Sequence, residues 1–225
     1  MIITIDGPAA SGKSTVARLL AQQLDYYYLN SGLLYRALAY VMHDQDITHV
    51  SESGLLALLD PACFTYCSTV AGGAIIYKSQ DITPYLKSPS IDQVASRISA
   101  LKEVRQALLE FQRSFARSYS LVTDGRDCGT VVFPHADYKF FLIAAVEVRA
   151  ARWQKDQIKK GINLSLKESQ QRIEERDQRD STRVLSPLVV AADAYIIDNS
   201  QLTQEQTVAV LFEHIQATQK ARELR

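Results

Sequence analysis

The chain has 225 residues, enough to bury one good core with room for a smaller appended domain. Lys+Arg and Asp+Glu number 25 each, so no global field draws it to nucleic acid or to a membrane surface. No apolar run is long enough to span a bilayer, and the three cysteines, Cys63, Cys67 and Cys128, form neither a disulfide framework nor a zinc site. A cytoplasmic, reducing setting is expected, with Asp6 arriving too early for a signal peptide.

The β-branched run Ile2-Ile3-Thr4-Ile5 predicts a buried strand, and Val16, Leu19, Leu20 and Leu24 recur behind it at helical spacing. Between them Gly7-Pro8-Ala9-Ala10-Ser11-Gly12-Lys13-Ser14-Thr15 fits G-x-x-x-x-G-K-[ST], a loop whose N–H groups cradle phosphates. The following helix adds its N-terminal dipole. Lys13 is expected to reach the β- and γ-phosphates of ATP, and Ser14 to ligate Mg²⁺. A glycine turn without ligand is the plain alternative; the flanking strand and helix argue against it.

Tyr26-Tyr27-Tyr28-Leu29 reads as a second strand, turning through Asn30-Ser31-Gly32 into a helix with Leu34, Leu38 and Val41. Phe64–Cys67 and Ala74–Tyr77 look like an antiparallel pair joined by a turn containing Gly72-Gly73, with Asp81–Pro84 as a third edge. Residues Ser90 to Arg117 are helical with a break near Ala100-Leu101-Lys102. Leu121–Asp124 and Tyr138–Leu142 are core strands. Helices follow at Glu147–Lys160 and Ser165–Arg179, hinged at Gly161, then a strand at Ala194–Asp198 and an amphipathic helix through Val208, Leu211, Phe212 and Ile215. Together these predict an α/β, doubly wound five-stranded parallel sheet of the P-loop NTPase type, carrying a small inserted antiparallel sheet and a short helical lid. The expected core segments are 1–57, 98–145 and 186–225, with the insert at 58–97 and the lid at 146–185.

Three clusters narrow the chemistry. Asp124-Gly125-Arg126-Asp127 directly follows a strand, where a carboxylate can hold Mg²⁺ or its water shell; a plain capped turn is the alternative. Arg176, Asp180 and Arg183 share one helical face at i, i+4 and i+7, either as a solvated ion-pair face or to stabilise charge on a transferring phosphoryl group. Ser31 and Arg36 open the second helix, where a second phosphate could sit; an N-cap serine and a surface arginine are the alternative.

These segments resemble the bacterial cytidylate kinases, small P-loop kinases that move the γ-phosphate of ATP onto CMP or dCMP. The resemblance runs from Ile3 to about Ser200 and is carried by Asn30–Arg36, Thr123–Pro134, and Arg176–Arg183 followed by Ser186-Pro187-Leu188. It implies that Gly7 to Thr15 cradle ATP, and that Ser31, Arg36 and Arg126 hold the CMP side. It further implies that Ser96, Arg105 and Asp127 read cytosine, that Arg176 and Asp180 lie near the sugar, and that Arg183 bridges to the transferring group. A carboxylate at Asp127 would accept from the cytosine amino group and repel the uracil oxygen at that place. Another small-molecule kinase on the same fold stays open as an alternative. A nucleotide-dependent switch is the other, although the chain has no N-K-x-D motif. Nothing in the chain demands more than a monomer, a nucleic-acid or membrane partner, or a structural metal.

Overall fold

In chain order the computed structural model gives β1 (Ile2–Asp6), α1 (Lys13–Leu24), β2 (Tyr27–Asn30), α2 (Ser31–Asp44), α3 (Glu52–Leu58), β3 (Phe64–Thr69), β4 (Gly72–Tyr77) and β5 (Gln80–Asp81). A 3-10 turn at Thr83–Lys87 leads into α4 (Pro89–Ile98), α5 (Lys102–Ala116) and β6 (Leu121–Gly125). After a π-helical turn at Cys128–Val132 come β7 (Tyr138–Ile143), α6 (Val146–Lys159), α7 (Leu166–Thr182), β8 (Tyr195–Asp198) and α8 (Gln204–Glu223). The structure describes residues 1–47 and 51–223. The expected core segments 1–57 and 186–225 therefore include residues 48–50 and 224–225, which lie outside the described residues.

The expected five-stranded parallel sheet is present, in the order β2-β6-β1-β7-β8. Its register aligns the carboxyl ends that matter: Asp124 pairs with both Ile5 and Asn30, and Gly125 with Asp6. The loops after β1, β2 and β6 thus open side by side, the usual place for a ligand in such a sheet. One sheet face buries Ile3, Ile5, Val122, Phe140 and Leu142 against Val16 and Leu20 of α1 and Val208, Leu211 and Ile215 of α8. On the other face β1 carries Thr4 and Asp6, and β6 carries Thr123; all three are buried. That polar row lies at the end of the sheet that faces the site.

The smaller sheet, β3-β4-β5, is antiparallel. Its Phe64, Tyr66, Ile75 and Tyr77 belong to one apolar cluster with Leu34 and Leu38 of α2, Ile91 of α4 and Leu108 of α5. The hairpin turn differs from expectation. Thr69 pairs with Gly72 and Ser68 with Gly73, so the glycines lie inside β4 and the turn is Val70-Ala71. Gly73 is there because the Tyr66 ring covers it: a Cβ would sit 2.4 Å from the tyrosine oxygen. The third edge is also shorter than expected. The Asp81 carboxylate accepts from the Thr83 N–H at 2.9 Å and Pro84 opens the 3-10 turn, which ends the strand.

The helical break falls at Ser99–Leu101, where Leu101 takes an extended conformation. The turn between α6 and α7 contains Gly161 in left-handed backbone, with φ of 76°. Ser165 caps α7 in a reciprocal box with Glu168. α7 runs past the expected end at Arg179 to Thr182, and Arg183 leaves it with ψ of 140°. Arg183 caps the helix on the face of Asp180, as the spacing predicted: φ of −63° keeps its side chain on the helical path, and its guanidinium comes within 4.0 Å of the Asp180 carboxylate. The Leu188 N–H donates to the Asp180 carbonyl at 2.8 Å, closing the helix end and folding the chain back.

Candidate active site

The loop Gly7–Gly12 is bent so that its carbonyls face the protein. The Lys13 ammonium donates to Pro8 O at 2.8 Å, Arg149 donates to Ala9 O at 3.0 Å, and the Asn199 amide donates to Ser11 O at 2.9 Å. Turning the carbonyls of Ala9 and Ser11 to these partners turns the Ala10 and Gly12 N–H groups the other way, which makes an anion cradle. Gly7 has no room for a side chain, since a Cβ would lie 2.3 Å from Leu142 O. Gly12 and Ala10 both take left-handed backbone, and Lys13 begins α1. Ser11 has a buried hydroxyl without a partner among the described residues.

Lys13 is buried, and its ammonium is pushed well below its usual pKa by that burial and then by the Arg126 guanidinium, with Asp124 opposing. Arg176 adds to the depression and Asp180 opposes it. Cationic groups from the start of α1, from just after β6 and from α7 thus lie within reach of one another's charge, which favours a bound anion beside them.

At the mouth of the loop the Ser14 hydroxyl donates to Asp124 Oδ2 at 2.6 Å. Tyr28 donates to the other carboxylate oxygen at 2.7 Å and receives a hydrogen bond from the Asn30 amide at 2.9 Å. Burial and the Asp124 charge push the Tyr28 phenol well above its usual range, keeping it a neutral donor. Ser31 donates to Asp124 O at 2.6 Å. The helix cap is Asn30, whose side chain accepts from Leu33 N, so Ser31 is not an N-cap. Hydroxyl and carboxylate oxygens are what a hard divalent cation takes, and among the described residues no cluster of three or more His, Cys, Asp or Glu could hold a metal alone. The donor set suits Mg²⁺ arriving with substrate phosphates.

Opposite the loop the arginines are held by carboxylates. Arg126 donates through Nε to Asp180 Oδ2 at 2.7 Å, and Arg36 through Nε to Asp92 Oδ1 at 2.6 Å. Arg105 pairs with Asp127 and also donates to Ser186 Oγ at 2.9 Å and Ser99 O at 3.0 Å. Arg183 donates to Ser186 O at 2.6 Å and brings Nη2 to 3.6 Å from Asp127, so its side chain joins the cluster from the end of α7. Arg176 has a buried Nε with no partner among the described residues, and its pKa is pushed down to about 10 by burial and by Arg126 and Arg36. Ser96 is half-buried on α4, and its carbonyl accepts from Ser99, whose own carbonyl meets Arg105.

Hydrogen bonds and ion pairs thus join Ser14, Ser31 and Asp124 in one group and Arg105, Arg126, Asp127, Asp180 and Arg183 in another, while the side chains of Thr15 and Ser96 take no part in either. Several participants were not read from the sequence. Asp177 accepts the Ala9 N–H at 2.8 Å and pairs with Arg149, and Asp6 accepts from Cys128 N at 3.0 Å and Gly129 N at 2.7 Å. Tyr28, Asp92 and Asn199 complete them. None has a local motif; only the density of arginine from Arg149 onward hinted at that region.

Comparison with known proteins agrees with this geometry. The family model described as cytidylate kinase matches residues 3–217. A protein named cytidylate kinase from Lactobacillus gasseri is 40% identical over 98% of this chain and 96% of its own length. Another of that name, from Coxiella burnetii, is 43% identical over 95% of this chain and 91% of its own. Among solved structures, an uncharacterized protein from Eubacterium ventriosum shares the fold at a TM-score of 0.53 with 14% identity, covering 96% of this chain and 98% of that one. The chain belongs to the cytidylate kinase family and is a nucleoside monophosphate kinase, a phosphotransferase.

Proposed function

We propose that the protein transfers the γ-phosphate of ATP to CMP or dCMP, giving CDP or dCDP and ADP, by in-line displacement without a covalent enzyme intermediate. The reading is supported by a phosphate loop that ends in buried Lys13, with Arg126 held by Asp180 of α7 and with Arg126 and Arg176 among the charges acting on the lysine. Two anionic substrates placed head-on would neutralise these cations, and no nucleophile or covalent step is needed.

Gly7, Pro8, Ala9, Ala10, Ser11, Gly12, Lys13, Ser14 and Thr15 would take ATP. Ser14 and Asp124 would hold Mg²⁺, which when bound supplies charge neutralisation on the transferring phosphoryl group. Arg36 and Arg126 would bind the acceptor phosphate, while Arg176 and Asp180 lie at its sugar and Arg183 stabilises charge in transfer. Arg105 and Asp127 offer a donor beside an acceptor, matching the ring acceptors and amino group of cytosine; Ser96 would join them. The hinge at Gly161 suits α6 and α7 as a lid over segments 1–57, 98–145 and 186–225, with 58–97 as the acceptor domain. A monomer in the cytoplasm is in keeping with three free cysteines.

Steady-state phosphorylation of CMP, dCMP, UMP, AMP and GMP with Mg-ATP tests the reading. CMP and dCMP should give the highest kcat/KM; preference for a purine, or no turnover with any of the five, overturns it.

A further inference from the structure

Arg36 reaches Asp92 through Nε, at 2.6 Å, and this is its hydrogen bond among the described residues. A guanidinium bound at Nε keeps both terminal nitrogens available, with the plane fixed by the bond already made. Arg126 is also held through Nε, to Asp180 at 2.7 Å, with Nη1 donating in addition to Gly125 O at 3.3 Å. The two arginines proposed for the acceptor phosphate are thus each gripped at the same atom by an acid from another helix, α4 in one case and α7 in the other.

The geometry points to Asp92 as a positioning residue for acceptor binding: it sets the plane of Arg36 so that its terminal nitrogens meet the acceptor's phosphate. This rests on the proposed acceptor site and adds to it a residue with no motif of its own. Asp92 and Ser96 stand at i and i+4 on α4, both half-buried. One face of that helix would then serve both ends of the acceptor, its phosphate through Asp92 and Arg36 and its base through Ser96. The charge of Asp92 also reaches the cluster, partly offsetting the effect of Arg36 on Arg176. A carboxylate in the first turn of α4 also favours the helix dipole, but that role does not require a 2.6 Å bond to α2.

The test compares Asp92→Asn and Asp92→Glu with the wild type, using whichever monophosphate of the five-member panel is turned over best. Asp92→Asn keeps the shape and removes the charge. KM for the acceptor should rise about tenfold while kcat falls less than threefold and KM for ATP stays put. Asp92→Glu should recover part of the loss. In an Arg36→Met background, Asp92→Asn should add nothing further. A helix-dipole role alone would lower Tm and leave KM unchanged, and that result overturns the inference, as does a lower KM, which would make Asp92 a competitor of the phosphate. If CMP and dCMP turn over well and the Asp92 variants match the wild type, only this inference falls. If no monophosphate is turned over, the proposed function falls and takes this with it.

Discussion

The carboxylate of Asp177 accepts the N–H of Ala9 at 2.8 Å, across 168 residues, and its other oxygen pairs with Arg149, which donates to Ala9 O. One residue of the phosphate loop is thereby clamped at both its N–H and its carbonyl by α6 and α7, the helices on either side of Gly161. Asp177→Ala removes the clamp. KM for ATP should rise about five- to tenfold, with Tm falling by about 3 °C, on the order of 1 kcal/mol for a chain of this size. Unchanged ATP kinetics would mean that the clamp serves the fold alone.

Ser14 and Asp124 meet at 2.6 Å, and Asp124 is braced by Tyr28. Asp124→Asn replaces one acceptor oxygen with a donor facing Ser14 or Tyr28 and lowers the charge offered to Mg²⁺. Turnover should fall by roughly two orders of magnitude, the scale found for lost electrostatic stabilisation in transfer reactions. Raising Mg²⁺ should recover part of it. A variant indifferent to Mg²⁺ concentration would separate Asp124 from the metal.

Asp6 gives a pH signature. Burial pushes its carboxyl up from 3.8 to about 6, against the two N–H groups that favour the charged form. A raised carboxyl pKa means that the folded state holds its proton longer than the unfolded chain does. Its contribution is fully present below about pH 4 and is lost as pH rises through about 6. The stability of the wild type relative to Asp6→Asn should therefore decline by about 3 kcal/mol in all, about 2 kcal/mol of it between pH 4.5 and 7. Urea melts of both proteins at pH 4.5 and 7 check the sign; a difference that grows with pH would contradict it.

How far the site could be read from sequence follows the range of the interactions. The phosphate loop is legible because its backbone path needs glycine at fixed offsets and a lysine beside them. The arginines of α7 are legible as a dense run. Arg183 is legible too, because helical spacing holds as far as the C-cap, and only beyond it does the closing contact from Leu188 turn the chain back. Gly72-Gly73 reads as a turn in sequence, yet Tyr66 requires glycine at 73 within the strand, so the β3–β4 turn lies two residues earlier. α3 left no reading at all. Asp6, Tyr28, Asp92 and Asp177 act through partners between 28 and 168 positions away in most cases, and such pairings leave no local period or motif.

The pairing of Arg105 with Asp127 decides how specificity must be tested. Both side chains are buried, so Asp127→Ala would strand a guanidinium and cost about 3–5 kcal/mol of stability, confounding any kinetic change. Asp127→Asn keeps the shape and one acceptor oxygen. With that oxygen turned to Arg105, the amide nitrogen would face the base as a donor. A donor there meets the uracil oxygen and opposes the cytosine amino group, so the CMP-to-UMP ratio of kcat/KM should fall at least tenfold. Each mismatched hydrogen bond of this kind is worth about 1–3 kcal/mol. Arg183, 3.6 Å from the same carboxylate, should lose part of its anchor, so kcat should fall for both substrates. The ratio, not the rate, is therefore the readout, and an unchanged ratio would assign Asp127 to holding Arg105 and Arg183 rather than to reading the base.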